Sequence, residues 1–249
     1  MQEKEPVIRL DNVYTAYEGA DRPTLADITM SVHRGEFVII GGPNGAGKTT
    51  LLETVNGMLT ITHGTAHVCG HNVRTDGVQV RRRVAYLLQN FAFDPLTPFT
   101  VEEVVLMGRY GTVGLFRKLK EEDIAAAKHA IRLLGIEDLA DRPIGQLSGG
   151  QQQKVLLAQN LARNPEVLLL DEPFSNLDMF ARESINTLLS DLVAAGVTVL
   201  IVSHAFDDLP HHTVRVMVMH DGRITLDRKC APDEVEETVR SAGRTRGHA

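Results

Sequence analysis

Five short runs of this chain are apolar at almost every position: residues 37–40, 84–88, 167–170, 197–202 and 214–219, all rich in Val, Ile and Leu. Continuous runs of this kind predict strands buried on both faces, as in a parallel sheet covered by helices. Stretches with apolar residues at helical spacing alternate with them, notably 121–134, 150–163 and 180–194. That alternation predicts an α/β, doubly wound domain with a mostly parallel sheet. Between residues 88 and 167 the pattern changes to helices and loops without a convincing strand, which predicts a helical subdomain inserted at about 90–163. The loop 90–100 holds two prolines and the phenylalanines Phe91, Phe93 and Phe99, an unusual content for a solvated linker. Residues 241–249 mix Gly, Arg and His without periodicity and are expected to lack structure. No internal repeat is present, so residues 1–249 are expected to form one nucleotide-binding domain.

After the first of these strands comes Gly42-Pro43-Asn44-Gly45-Ala46-Gly47-Lys48-Thr49, then Thr50 and a helical pattern to residue 55. Two glycines bracketing four residues, then lysine and a hydroxyl, is the phosphate-loop pattern, here in its strand–loop–helix context. Glycines let backbone N–H groups turn inward around a polyphosphate, and the helix N-terminus adds positive potential. Lys48 is expected to reach the β- and γ-phosphates and the Thr49 hydroxyl to bind Mg²⁺. The run 167–170 ends in Asp171 and Glu172. A carboxylate ending a strand beside the phosphate-loop strand can hold Mg²⁺, the expected role of Asp171. Glu172 is the candidate general base for an attacking water. Ser148, in Leu147-Ser148-Gly149-Gly150-Gln151, fits a helix N-cap, and the glycines after it leave backbone N–H groups for a second anion-binding surface.

Composition changes little. The chain has 249 residues, 43% hydrophobic and 23% charged, and 26 basic against 32 acidic residues give a formal charge of −6. No broad basic field points to a nucleic-acid partner. No apolar run approaches the ~20 residues that span a bilayer, the first residues lack a signal-peptide layout, and Cys69 and Cys230 form no close-spaced motif. A cytoplasmic chain is expected. His63, His67, Cys69 and His71 cluster, and on a strand the last three would share a face. Gly64 and Gly70 instead predict a glycine-bounded, solvated edge strand without a closed ligand set.

Together these motifs resemble the ATP-binding cassette (ABC) ATPases through nearly the whole chain. The resemblance implies an ABC-type domain with a RecA-like sheet core, a peripheral antiparallel β subdomain and the inserted helices. It makes residues 147–151 the signature motif and implies that Gln89 is the loop glutamine sensing Mg²⁺ and the transport partner. It makes His204 the switch histidine at the γ-phosphate and Tyr17 the aromatic that stacks on adenine. Ser175-Asn176-Leu177-Asp178 matches the D-loop, with Asn176 where alanine is commoner. It implies a head-to-tail homodimer in which ATP lies between one subunit's phosphate loop and the other's signature motif.

A single cassette without long insertions is similar to importer subunits. Residues 100–117, with Val105-Leu106-Met107-Gly108-Arg109-Tyr110-Gly111 and Gly114-Leu115-Phe116-Arg117, resemble ATPases of zinc- and manganese-type importers, as do residues 139–154. Iron-chelate and cobalamin importers share a looser Gly-Arg-Tyr and are the alternative, with a non-transport nucleotide-gated clamp a further one. The resemblance implies integral-membrane permease subunits, a separate substrate-binding protein, and attachment to the inner face of the membrane. The coupling helix of the permease is expected to dock near Phe91–Arg109, on Phe91, Phe93, Leu96, Phe99 and the helix that follows; the alternative is that these phenylalanines are core of the helical subdomain.

Overall fold

Three strands are buried at every position: β3 (Phe37–Gly41), β7 (Val167–Asp171) and β8 (Thr198–Val202). They form the centre of a six-stranded sheet with β6 (Val84–Leu87), β9 (Val214–His220) and β10 (Arg223–Cys230), in the order β10-β9-β3-β8-β7-β6. All neighbours pair in parallel except β9 and β10, which form an antiparallel hairpin. The computed structural model describes residues 5–19, 22–88, 93–114, 117–175, 177–203 and 213–244.

Alternate residues of these strands serve two cores, as a period of two requires. Ile39, Leu168, Leu170, Val199 and Ile201 pack with helices α3 (Val101–Val113), α4 (Glu121–Leu133), α5 (Gly149–Leu161) and α6 (Met179–Ala194). Val38, Ile40, Leu169, Leu200 and Met217 pack on the other side with α1 (Lys48–Val55). A second sheet shares that core. It contains β1 (Ile8–Thr15), β2 (Leu25–Val32), β4 (Ile61–Val68) and β5 (His71–Asn72), antiparallel in the order β2-β1-β4-β5. These strands alternate buried and exposed residues because only one of their faces is covered. Helix α2 (Gly77–Arg83) leads into β6, and α7 (Val235–Arg244) follows β10.

Helices α3, α4 and α5 occupy the span between β6 and β7, where the described residues add only a Thr100–Pro143 bridge to the helices and turns. They are tied at one corner by Arg109. Its guanidinium bonds Asp123 Oδ1 through Nε at 2.8 Å and the carbonyl of Ala162 at 3.0 Å, joining the three helices. Asp123 also caps α4 by accepting from the Lys120 N–H at 2.9 Å, which with Arg109 holds its carboxyl below the usual range.

Three sequence expectations need correction. The strand carrying Asp171 is not beside the phosphate-loop strand, because β8 lies between β3 and β7. The His67, Cys69 and His71 face does not exist. Cys69 and Gly70 form the turn joining β4 to β5, with Cys69 in the left-handed region at φ 51°, and β4 is flanked by both β1 and β5 rather than lying at an edge. No group of metal-binding side chains occurs among the described residues. Ser241 to Arg244, assigned to the unstructured tail, belong to α7. No helix among the described residues is long and apolar enough to cross a membrane.

Candidate nucleotide site

The phosphate loop leaves β3 where a side chain could not. Gly42 has φ 133°, and a Cβ there would lie 2.2 Å from the Met219 carbonyl oxygen on β9. The turn closes with the Ala46 N–H on the Pro43 carbonyl at 3.2 Å, and Ala46 itself accepts from the Gly222 N–H at 3.1 Å. Gly47, again at positive φ, caps α1. Lys48 is buried and donates through Nζ to the carbonyls of Gly42 and Pro43, 2.9 Å each, so its charge sits against the loop. Burial lowers its pKa, and the Glu172 and Asp171 carboxylates oppose that shift.

Although β8 separates their strands, the two nucleotide motifs meet. The Thr49 hydroxyl donates to Asp171 Oδ2 at 2.7 Å. Asp171 is 1% exposed, and its other oxygen, Oδ1, has no hydrogen-bond partner in the protein. Burial raises its pKa; the Thr49 bond opposes this and the Glu172 charge adds to it. Glu172 follows at φ 49°, a region non-glycine residues seldom enter, with its N–H on the Val202 carbonyl at 2.9 Å. A cleft of about 500 Å³ is lined by Asn44, Gly45, Gly47, Lys48, Thr49, Thr50, Asp171 and Glu172, with Thr24 and Val202. Gly42, Pro43 and Ala46 shape the loop from behind this lining. Thr24 belongs to no recognisable motif, so the sequence offered no signal for it, whereas Val202 ends the apolar run just before His204.

Tyr17 is not in the cleft wall. It is 43% exposed, and its hydroxyl donates to Glu53 Oε2 at 2.7 Å and lies 3.2 Å from Thr50 Oγ1, both on α1. Gln89, His204 and Asn176 lie outside the described residues, as does Phe91.

The signature residues form a different place. Ser148 caps α5 reciprocally: its hydroxyl accepts from the Gln151 N–H at 3.3 Å, and the Gln151 side chain accepts from the Ser148 N–H at 3.0 Å. Ser148, Gly149, Gly150, Gln151 and Lys154 line a second cleft of about 610 Å³ with Leu177 and Asp178. Asp178 is itself the N-cap of α6, accepting from the Ala181 N–H at 2.8 Å, a role the sequence reading did not assign. One chain therefore keeps its phosphate loop and its signature motif in separate clefts.

A glycine-rich loop leading into a helix N-terminus, a buried lysine, and two carboxylates at the end of one parallel strand define a phosphate-loop nucleotide-binding protein. Comparison with known proteins narrows this. Residues 25–175 match the ABC transporter family. The manganese transport system ATP-binding protein MntB of Bacillus subtilis is 37% identical over 240 residues, covering 96% of this chain and 92% of that protein. The zinc transport system ATP-binding protein TroB of Treponema pallidum is 37% identical over 86% of this chain and 78% of its own length. A solved dimeric ATP-binding cassette in a post-hydrolysis state, bound to ADP and Pi, superposes with a TM-score of 0.77. It shares 28% identity and covers 89% of this chain and 98% of its own. The chain belongs to the ABC transporter family. It is the nucleotide-binding, ATP-hydrolysing subunit of a transporter.

Proposed function

We propose that this chain drives a divalent-metal importer, for manganese or zinc, by hydrolysing ATP at the cleft around Lys48. The observation carrying the catalytic reading is the convergence of Lys48, Thr49, Asp171 and Glu172 on one cleft. Lys48 and the loop N–H groups hold the β- and γ-phosphates. Glu172 accepts a proton from water as the water oxygen bonds to the γ-phosphorus and the bond to the β,γ-bridging oxygen breaks, giving ADP and phosphate. The residues present fit Mg²⁺: Thr49 and Asp171 offer a hydroxyl and a buried carboxylate with one oxygen unbonded, the hard oxygen donors that ion takes. When bound, Mg²⁺ would supply charge neutralisation at the phosphates. Gln89 and His204 complete the set by family resemblance.

Separate clefts for the phosphate loop and the signature motif favour a head-to-tail homodimer. Each copy then brings Ser148, Gly149 and Gly150, at the positive end of α5, to nucleotide held by the other. An apolar groove of about 430 Å³ is the proposed seat of the permease's coupling helix. Leu87, Leu88, Phe93, Phe99, Val104 and Met107 line it, and Leu96, 88% exposed, lies outside this lining. The chain then works at the cytoplasmic face of the membrane, with a separate binding protein capturing the cargo. Metal as cargo is supported by the likeness to MntB and TroB.

Uptake of labelled manganese, zinc and iron by a strain lacking the chain, with and without complementation, tests the reading. Manganese or zinc uptake should fall and return with the wild-type chain but not with Glu172→Gln. Unchanged uptake of all three metals would overturn metal import and leave the ATPase assignment standing.

A further inference from the structure

Tyr86 stands on β6, three residues before Gln89, with its ring packed against the core that holds α1. Parallel pairing sets it opposite Leu169, and Asp171 follows two residues on, so both side chains leave the same face of adjacent strands. Two polar atoms there are shut off from solvent and lack a hydrogen-bond partner: Tyr86 Oη and Asp171 Oδ1. The phenol nevertheless feels the carboxylate. Burial first, then the charges of Asp171, Glu53 and Tyr17 and a hydrogen-bonding interaction with the Asp171 side chain, push its pKa far up. A buried donor and a buried acceptor on one face, each short of a full hydrogen bond, are unfavourable apart, and pairing them would satisfy both. The Asp171 oxygen has two lone pairs and can accept from a phenol while still facing a hydrated cation.

We propose that Tyr86 is a positioning residue for the cation site: its hydroxyl donates to Asp171 Oδ1 and fixes the carboxylate in the orientation that holds the metal. This rests on the reading of Asp171 and Thr49 as cation ligands. It also ties that carboxylate to the strand from which the Gln89 loop emerges. Tyr86→Phe removes one hydroxyl and keeps the ring, so packing is preserved.

The test uses the full chain as wild type, Tyr86→Phe and Asp171→Asn. Mn²⁺, visible by electron paramagnetic resonance, is titrated at saturating ADP, and a fluorescent ATP analogue is titrated in EDTA. Tyr86→Phe should weaken Mn²⁺ binding about tenfold, as loss of an outer-shell partner of a metal ligand does. Metal-free nucleotide affinity should not fall, because the hydroxyl reaches the nucleotide only through the metal it helps to hold. Equal Mn²⁺ affinity in wild type and Tyr86→Phe would overturn the proposal. So would an equal loss with and without metal, the mark of a merely structural role. Wild-type Mn²⁺ affinity in Asp171→Asn would sink the cation-site reading itself, and this proposal with it.

Discussion

Gly108 and Gly111 sit three residues apart on α3, and the structure predicts opposite outcomes for the same substitution. A Cβ at Gly108 would lie 2.2 Å from the Gln159 carbonyl oxygen and 3.1 Å from its carbon, both backbone atoms of α5. Separating them to ordinary contact moves α3 off α5 by about 1 Å, since a helix carbonyl cannot swing aside as a side chain can. The shift also strains the bond from Gln159 Nε2 to the Val104 carbonyl, now 3.0 Å. Overpacking costs about 1–3 kcal/mol, and a backbone clash belongs at the upper end. Helix propensity returns roughly 1 kcal/mol on replacing Gly by Ala. The net for Gly108→Ala is a loss of about 2 kcal/mol, or a melting temperature lower by roughly 4–8 °C for a chain of this size. At Gly111 the nearest atom is Arg163 Nη2 at 4.0 Å, so only propensity acts. Gly111→Ala should leave stability unchanged or raise it by up to about 1 kcal/mol. Thermal unfolding of both variants, monitored by circular dichroism, checks this. If the two shift together, in either direction, the helix contact does not govern Gly108 and the reasoning fails.

Other outcomes follow from the site and its supports. Glu172→Gln should lower ATP turnover by about 10²–10⁴ while ATP still binds, because an amide keeps the shape but takes no proton; near-normal phosphate release would remove Glu172 from the base role. In size-exclusion chromatography, Glu172→Gln should dimerise with Mg²⁺–ATP, and adding Ser148→Arg should abolish the dimer by filling the signature cleft; a dimer that survives would refute the sandwich. Asp123 has a pKa held below its ordinary 3.8, so its stabilisation is present above that value and lost as pH falls through the lowered one. Asp123→Ala should cost about 3 kcal/mol at neutral pH, the lower end for a broken buried pair because Arg109 is partly exposed, and urea titrations from pH 7 to pH 3 should show wild type approaching the variant.

The strands that carry chemistry were legible because they are buried on both faces. Each reads as an unbroken apolar run, and the phosphate loop and the Asp171-Glu172 pair mark two of their ends. The peripheral sheet was harder to see. Arg9, Asp11 and Asn12 interrupt β1, since its outer face meets solvent, and the kink at Asn12, φ 51°, breaks even the alternation. Strand order was not legible at all. Nothing in the chain says that β8, encoded after β7, inserts between β7 and β3, because connectivity in a parallel sheet is set by crossovers rather than by local pattern.

The stretch Val105-Leu106-Met107-Gly108-Arg109-Tyr110-Gly111 teaches a different lesson. As a sequence it marks resemblance to metal importers, and that invites reading every residue as specificity. In the structure its parts divide. Val105 and Gly108 are buried, with Gly108 against α5, and Arg109 bonds Asp123 and the Ala162 carbonyl, so these residues hold the helical insertion together. Met107 faces the apolar groove, and Tyr110 is 47% exposed. A permease docked in that groove would therefore touch few residues of the motif, while the rest fix the angle at which α3 crosses α5. The same α5 carries Ser148 at its N-terminus and Gln159 at the groove wall, about 16 Å apart at 1.5 Å per residue. If the permease docks in the proposed groove, a push there would reach the signature cleft through α5. Were the permease seated in the proposed groove, Gly108 and Arg109, which hold α3 on α5, would be the part of the motif that links groove to signature cleft.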